Sequence, residues 1–341
     1  MIRLLIGAAL IGLASSASGV AAEPIQLKLG YFSSDREPPY TAVMKPFADA
    51  VNKAAKGILE IQTLPGGVLG RSYGQQAQLV LDGVADMAWV NPSLTPELFS
   101  DAAIMQLPGL FRDLEEATMA HTAIVRGASL RGYEKFYAIG SFANYPLMIH
   151  TRSQVASLTD LRGKRIRANS LIEVTTLEAL GIESVVLPIN EISLAIARGT
   201  IEGTTMPPGS LLAYGISRMT RYHYAIQLGA APLNFLMNRA SFERLPAAGQ
   251  DIIRKYSGDW TAARFVAAYQ ANNDAAMARF AAETERSIIQ PSESDLKLAD
   301  AAFRKVVHGW AAKSPHNAEL LTMLEAEVAT LRTTTTGRGS R

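Results

Sequence analysis

Four basic residues stand close together in one short stretch of the chain, and residues that can cap a helix follow directly. The basic residues are Arg162, Lys164, Arg165 and Arg167. A guanidinium offers a planar fork that matches the two oxygens of a carboxylate, and a helix N-terminus adds free N–H groups and a favourable dipole. With Asn169 and Ser170 behind it, Arg167 is therefore a candidate for binding a small organic anion. The alternative is a solvated strand edge, because most runs of charge simply lie at the surface.

The elements around this stretch should form a βαβαβ unit. The periodicity of apolar residues predicts a strand at 164–168, a helix at about 173–180, a strand at 184–187, a helix at about 190–197 and a strand at 200–205. Gly181 and Gly199 are placed to end the two helices. Strands that alternate with helices are usually parallel. In open parallel sheets ligands bind beyond the carboxyl ends of the strands, and Arg167 lies at such an end.

The same block carries a family resemblance. The motif D-L-x-G-K-x-I-R at 160–167 is followed by a helix, by A-L-G, by a short strand with Pro, and by a helix that ends in G-x-x-[DE]. This order resembles the substrate-binding subunits of TRAP (tripartite ATP-independent periplasmic) transporters, of the DctP type. In that family the arginine that ends the motif pairs with the substrate carboxylate, and by position this is Arg167. The resemblance extends over nearly all of the chain after residue 22.

The resemblance implies an α/β fold, the two-lobe periplasmic binding protein (Venus-flytrap) fold. Its sheets should be mixed but mostly parallel and flanked by helices, and one long helix should span both lobes. We expect the first lobe at 23–146 plus about 238–280, and the second lobe at 147–237 plus about 281–332. Residues 333–341 are polar and repetitive, which predicts a disordered tail.

The N-terminus has the composition of an export signal. Residues 1–22 combine one basic residue, Arg3, with an apolar run at 4–13 and Val20-Ala21-Ala22 before Glu23, which predicts a secretory signal peptide. The chain has no cysteine, so we expect no lipid anchor and no disulfide. Without Arg3 the 33 basic residues become 32 against 31 acidic ones, a net charge of +1. That balance gives no reason to expect nucleic acid as a partner, and export predicts a periplasmic location.

The two halves of the chain share a helix, Gly, x, x, acid, strand pattern. It occurs at 81–86 and again at 197–202, which indicates two similarly built lobes. By this correspondence Trp89 and Asn91 should face Met206 across one cleft, although Trp89 could equally be a core residue. In the family the loop after the first strand also faces the cleft. Ser33 and Asp35 are therefore further candidates, with an ordinary solvated turn as the alternative.

Two departures from the family pattern bear on the ligand. Many members carry a second carboxylate-facing arginine in the first strand that crosses between the lobes, but here that neighbourhood, 144–148, has none. Met206 stands where relatives place Asn. Both differences remove polar anchors, so we expect a monocarboxylate with an apolar or aromatic body rather than a C4-dicarboxylate or sialic acid. Tyr145, Met206, Phe235 and Trp89 are the side chains expected to receive that body.

No pattern for catalysis or metal binding is evident. The five histidines show no H-E-x-x-H or other ligand spacing, no G-x-S-x-G motif occurs, and we expect no cofactor. The preferred hypothesis is a monomeric solute-binding subunit that delivers a small carboxylate to the membrane permease of a TRAP transporter. A sensory binding subunit is the alternative. A periplasmic enzyme that uses Asp86 or Glu202 as acid or base is a third hypothesis.

Overall fold

The computed structural model of this chain describes residues 23–127 and 130–336. The predicted signal peptide, 1–22, lies outside these residues, and so does the stretch 337–341 of the predicted tail. Within the described ranges, no helix is both long enough and apolar enough to cross a lipid bilayer.

The described residues form eleven strands and eleven α-helices. The strands are β1 (Ile25–Gly30), β2 (Leu59–Leu64), β3 (Met87–Val90), β4 (Phe136–Ala143), β5 (Met148–Thr151), β6 (Arg165–Ala168), β7 (Glu183–Val186), β8 (Gly203–Met206), β9 (Tyr222–Tyr224), β10 (Pro232–Asn238) and β11 (Ser287–Ile289). The helices are α1 (Lys45–Ala54), α2 (Gln76–Leu81), α3 (Leu114–Gly127), α4 (Leu171–Ala179), α5 (Ile192–Ala197), α6 (Pro208–Ala213), α7 (Arg239–Glu243), α8 (Ala247–Lys255), α9 (Asp259–Ala282), α10 (Glu293–Ala311) and α11 (Pro315–Thr336).

Two sheets divide the chain into two lobes. The sheet of the first lobe has the order β2-β1-β3-β10-β4, in which β1 is parallel to β2 and β3, and β10 is antiparallel to both of its neighbours. The sheet of the second lobe has the order β11-β9-β5-β8-β6-β7, with antiparallel pairs on both sides of β5 and parallel pairs elsewhere. Helices flank both sheets, so the predicted two-lobe α/β fold is confirmed.

The βαβαβ unit predicted for 160–206 is present as β6, α4, β7, α5 and β8. Strand β6 lies between β7 and β8 and is parallel to both. Gly181 and Gly199 end the two helices with φ angles of 78° and 71°, a left-handed conformation that glycine adopts without strain. The carboxyl ends of the three strands therefore meet at one edge of the second sheet.

Alternation along the strands decides which side chains enter the cores. On β3, Met87 and Trp89 join the apolar cluster on one face of the first sheet, while Ala88 and Val90 join the cluster on the other face. On β6, Ile166 and Ala168 enter a core of the second lobe. Arg167 therefore points to the opposite face of the sheet.

Four connections join the lobes. Two of them are extended: the chain leaves the first sheet between β4 and β5, and it returns between β9 and β10. The other two are helices. Helix α9 contacts α3 and β4 of the first lobe as well as α6 and β11 of the second, so the long spanning helix that was predicted is confirmed. Helix α10 contributes Ala299 and Phe303 to a core of the second lobe and, nearer its C-terminus, Trp310 to a core of the first lobe.

The structure assigns two segments to a different lobe from the one predicted. Residues 232–237 were assigned to the second lobe, but β10 lies between β3 and β4 in the first sheet, so the return crossing comes earlier. Residues 315–332 were also assigned to the second lobe, yet α11 packs on α3. Arg332 there pairs with the buried carboxylate of Glu116 at 2.7 Å. Helix α11 also continues to Thr336, into the predicted tail.

Candidate ligand-binding cleft

A cavity of about 950 Å³ lies between the two lobes, and residues of both sheets line it. Its walls include the segments that follow β1, β3, β6 and β8, so it lies beyond the carboxyl ends of these strands. This is the position at which open parallel sheets bind ligands. Residues of the spanning helix α9, Tyr269 among them, complete the lining.

Arg167 is a buried cation at this cavity, with 4% of its surface exposed. Its Nε donates to the Leu187 carbonyl at 2.9 Å, and its Nη2 donates to Asn169 Oδ1 at 3.0 Å. No carboxylate of the described residues lies within ion-pair distance of it, and Nη1 has no hydrogen-bond acceptor among them. Burial lowers the pKa of the Arg167 guanidinium, and the nearby Glu173 opposes that effect. A buried charge that forms no direct ion pair is unfavourable, so this site favours an anion.

The neighbouring basic residues behave differently. Arg165, two positions earlier on the same strand, keeps 58% of its side chain exposed and pairs with Glu183 at 3.6 Å on the surface. Arg162 is exposed as well. The alternative of a solvated strand edge therefore describes these two residues, whereas Arg167 is set apart by its burial.

A hydrogen-bonded carboxyl group lies behind Arg167. The hydroxyl of Ser170 caps α4 by accepting the backbone N–H of Glu173 at 3.3 Å. Glu173 Oε2 in turn accepts the Asn169 backbone N–H at 2.8 Å and the Thr205 hydroxyl at 2.7 Å. Burial raises the pKa of Glu173, while these two hydrogen bonds and the charge of Arg167 lower it. The network fixes the loop that presents Asn169 to the guanidinium.

Aromatic rings form much of the wall on the first lobe. Phe32 and Tyr73 stack with ring centroids 4.1 Å apart, and both line the cavity. Trp89 also lines it, although its indole is only 1% exposed and stacks on Phe142 at 5.3 Å. Burial raises the pKa of the Tyr73 phenol and of the Tyr269 phenol, so both stay neutral. Neutral phenols next to apolar rings suit a flat apolar body with an occasional polar substituent.

The structure brings five of the nine candidate site residues to the cavity. These are Trp89, Asn91, Arg167, Asn169 and Met206. Asn91 also caps the turn after β3 by accepting the backbone N–H of Ser93 at 2.9 Å. Trp89 belongs both to the cleft wall and to the core, so the two hypotheses for it describe the same side chain.

The other four candidates lie elsewhere. Ser33 donates its hydroxyl to Glu37 at 2.5 Å and supports that cavity residue from outside, and Asp35 is exposed in the loop. Tyr145 packs half-buried against the core of the first lobe. The expectation for Phe235 needs correction, because its side chain is fully buried and meets Phe47 edge-on at 5.2 Å. Leu233, two positions earlier on β10, does line the cavity.

Several residues of the cavity were not expected from the sequence. They are Glu37, Arg71, Tyr73, Tyr214 and Tyr269. Arg71 is exposed, and no hydrogen bond or ion pair joins its side chain to the described part of the chain. It brings a second guanidinium to the cleft, from the loop between β2 and α2 rather than from a crossing strand. The glycine-rich turn at 65–70 directs this loop, and the arginine and tyrosine after that turn were the available clue.

The two acids considered for catalysis lie outside the cavity lining. Asp86 is 8% exposed and accepts the Lys28 backbone N–H, the Ser241 hydroxyl and the Arg244 guanidinium at 2.8, 2.6 and 2.9 Å. Glu202 accepts the Ser153 hydroxyl at 2.8 Å. Each acid holds the start of a strand to a neighbouring segment, which is a structural role. Within 23–127 and 130–336, no group of three His, Asp or Glu residues could hold a metal ion.

Comparison with known proteins identifies relatives along most of the chain. The family model described as bacterial extracellular solute-binding protein, family 7 (DctP), matches residues 29–314. A solute-binding protein of Verminephrobacter eiseniae is 24% identical over 208 residues, which cover 60% of this chain and 62% of that relative. The match thus spans slightly less than two thirds of the relative's length.

Two solved structures share the fold. One is a TRAP solute-binding protein from Rhodoferax ferrireducens T118 in complex with copurified benzoate, 23% identical with a TM-score of 0.81 over 91% of this chain and 99% of that one. The other is a marine metagenome TRAP solute-binding protein specific for aromatic acid ligands, in complex with 3-hydroxybenzoate, 22% identical with a TM-score of 0.81 over the same shares.

The predicted family is therefore confirmed by a match that covers well over half of the sequence. The two-lobe topology and the interlobe cavity agree with it. This chain belongs to bacterial extracellular solute-binding protein family 7, the DctP family of TRAP transporter solute-binding proteins.

Proposed function

We propose that this protein captures a small organic acid, an aromatic or apolar monocarboxylate, in the cavity between its lobes and delivers it to the membrane permease of a TRAP transporter. The observation that carries the proposal is Arg167, a buried guanidinium without an acidic partner at the edge of a cavity with aromatic walls. Export to the periplasm and action as a monomer are parts of the same proposal.

The carboxylate of the ligand would bind to Arg167. Two hydrogen bonds, from Nε to Leu187 and from Nη2 to Asn169, hold the guanidinium plane in place and leave Nη1 for a ligand oxygen. Charge-assisted hydrogen bonds in a buried site contribute about 1.5–3 kcal/mol each. A bound carboxylate would also form the direct ion pair that no carboxylate of the described residues forms with Arg167.

The body of the ligand would pack on the aromatic wall. The rings of Phe32 and Tyr73 offer an apolar face, and the phenols of Tyr73 and Tyr269 can donate to a hydroxyl substituent. The two solved relatives support this assignment, because one binds benzoate and the other is specific for aromatic acids. Met206 at the end of β8 adds an adaptable apolar side chain on the opposite wall.

A thermal-unfolding panel tests the proposal directly. The ligands are benzoate, 3-hydroxybenzoate, succinate and glucuronate, with benzamide as the uncharged analogue of benzoate. A ligand that binds only the native state stabilises it by about 2.7 kcal/mol at a hundredfold excess over Kd. We expect stabilisation by the aromatic acids, little by benzamide, and loss of the effect in Arg167→Ala.

Arg165→Ala is the matched control, because it removes an exposed arginine two positions away on the same strand. It should retain the stabilisation by benzoate. Equal stabilisation by benzamide and benzoate, or a benzoate effect that persists in a folded Arg167→Ala protein, would contradict the proposal.

Arg71 supports a second candidate class of ligand, the dicarboxylates. Its guanidinium lines the cavity from the first lobe without a partner among the described residues, so it could pair with a second carboxylate. In that case succinate should stabilise the protein more than benzoate does. Arg71→Ala should then weaken succinate binding selectively, whereas a monocarboxylate site would lose little affinity for benzoate.

A further inference from the structure

The carboxyl group of Glu173 lies directly behind the proposed anion site but does not line the cavity. Its side chain is buried, with 1% of the residue exposed. Thr205 links it to the anchor, because the Thr205 hydroxyl donates to Glu173 Oε2 at 2.7 Å and lies 3.2 Å from the Arg167 carbonyl oxygen. Asn169 provides a second link, since its backbone donates to Glu173 and its side chain accepts from Arg167.

The two oxygens of Glu173 are not equivalent. Oε2 accepts two hydrogen bonds, whereas the buried Oε1 has no partner among the described residues. An ionised carboxylate with a buried, unsatisfied oxygen is unfavourable, and a proton on that oxygen removes the charge. Oε1 is therefore the atom on which Glu173 would carry a proton.

Few charged groups act on this carboxyl. Helix α4 packs against β6, β7, α10 and the segment 100–106, and from these elements Arg167 is the charge that acts on Glu173. The other charged groups of the neighbouring elements are either paired or exposed. Three ion-pair groups account for Arg165 with Glu183, Asp101 with Arg131 and His316, and Asp300 with Arg304. Asp295 caps its own helix. The remaining charged residues of α10 are exposed, and they are Glu293, Lys297, Lys305 and His308.

The charge of Arg167 thus favours the ionised form of Glu173 in the empty cleft. A ligand carboxylate on the same guanidinium would bring a negative charge that offsets the positive potential of Arg167 at Glu173. This change favours the protonated form of Glu173. We propose that Glu173 takes up one proton from solvent at Oε1 when a ligand carboxylate pairs with Arg167, so that solute binding is coupled to pH. This inference rests on the proposed function of the cleft.

Isothermal titration calorimetry with benzoate tests the coupling. Titrations in buffers with different ionisation enthalpies count the protons taken up, and a series from about pH 5 to about pH 9 should include a window of net uptake. Within that window Kd should increase with pH, by at most about tenfold per unit for one coupled proton.

Two variants identify the group. Glu173→Gln can still accept the hydrogen bonds of Asn169 and Thr205, so it should fold, bind benzoate and lose the proton uptake. Glu178→Gln changes an exposed carboxyl on the same helix that does not line the cavity, and it should retain the uptake. Thr205→Val removes one bond that stabilises the ionised carboxylate, so it should move the uptake window to higher pH whether or not Glu173→Gln folds.

The outcomes separate this inference from the proposed function. Benzoate binding that depends on Arg167 but involves no proton uptake across the series would overturn the inference and leave the proposed function intact. Uptake that persists in Glu173→Gln, or a window that does not move in Thr205→Val, would also overturn it. If neither benzoate nor any other acid of the panel binds through Arg167, the proposed function fails first.

Discussion

Three buried imidazoles make the stability of this protein sensitive to acid. His121, His150 and His223 are fully buried. His150 Nε2 lies 3.0 Å from the Met206 carbonyl oxygen, so it carries the hydrogen, and His150 Nδ1 must then accept from His223 Nδ1 at 2.8 Å. A proton added to His150 would place two N–H groups against each other. A proton on His223 Nε2, which has no partner within the described residues, would be buried without an acceptor.

The expected loss of stability can be estimated from these environments. Burial lowers the pKa of His121 and His150 to about 4, and burial together with His150 and Arg286 lowers that of His223 to about 2. Unfolded chains protonate histidine below about pH 6.5, so the folded state binds fewer protons there and stability decreases as the pH falls. Relative to neutral pH, each imidazole that stays neutral in the folded state lowers the free energy of unfolding at about pH 5 by about 2 kcal/mol. The three together lower it by about 6 kcal/mol.

Urea denaturation at about pH 7.5 and about pH 5 measures this loss. Glu173 acts in the opposite direction, because its raised pKa favours the folded state in acid, so we compare variants. His121→Gln should reduce the acid-dependent loss by about 2 kcal/mol, whereas replacing the exposed His308 provides the control. An acid-dependent loss that is the same in His121→Gln and wild type, or a total below about 2 kcal/mol, would refute this reasoning.

Three further changes test the assignments of individual residues. Asp86→Ala removes three hydrogen bonds and should lower the free energy of unfolding, measured in urea, by about 3 kcal/mol. Glu202→Ala, at a partly exposed site, should lower it by less than about 1 kcal/mol. Equal effects of the two variants would contradict the difference in burial between the two acids. Tyr73→Ala should weaken benzoate binding about tenfold in calorimetry through lost stacking, and unchanged affinity would remove Tyr73 from the wall. Phe235→Ala should lower the free energy of unfolding by about 3–5 kcal/mol but leave the Kd for benzoate unchanged. Weaker benzoate binding without a loss of stability would show that Phe235 contacts the ligand.

The parts of the fold that local pattern determines were predictable. The βαβαβ unit follows from apolar periodicity and from Gly181 and Gly199, and its topology places Arg167 at the edge where ligands bind. Alternation along β6, with Ile166 and Ala168 in the core, also explains why Arg167 points away from that core. These features depend on residues close together in the sequence.

The parts that depend on distant packing were not predictable. The pattern of β10 indicates a buried strand but does not say which sheet takes it, so the lobe boundary near 232 and the depth of Phe235 were missed. The apolar face of α11 likewise does not specify that it packs on α3. Arg71 and Tyr73 follow a turn whose Gly66 and Gly67 backbones donate to Ser33 and Tyr31 after β1, a contact between distant parts of the sequence.

The four connections between the lobes limit how the cleft can open. Helix α9 has 24 residues, about 36 Å at 1.5 Å per residue, and it contains neither Gly nor Pro at which a helix usually kinks. Two extended crossings and two continuous helices leave little freedom for twist or translation of one lobe against the other. The motion should therefore reduce to a single rotational degree of freedom about an axis near these connections. One spectroscopic distance between a label on each lobe would then describe the complete opening coordinate.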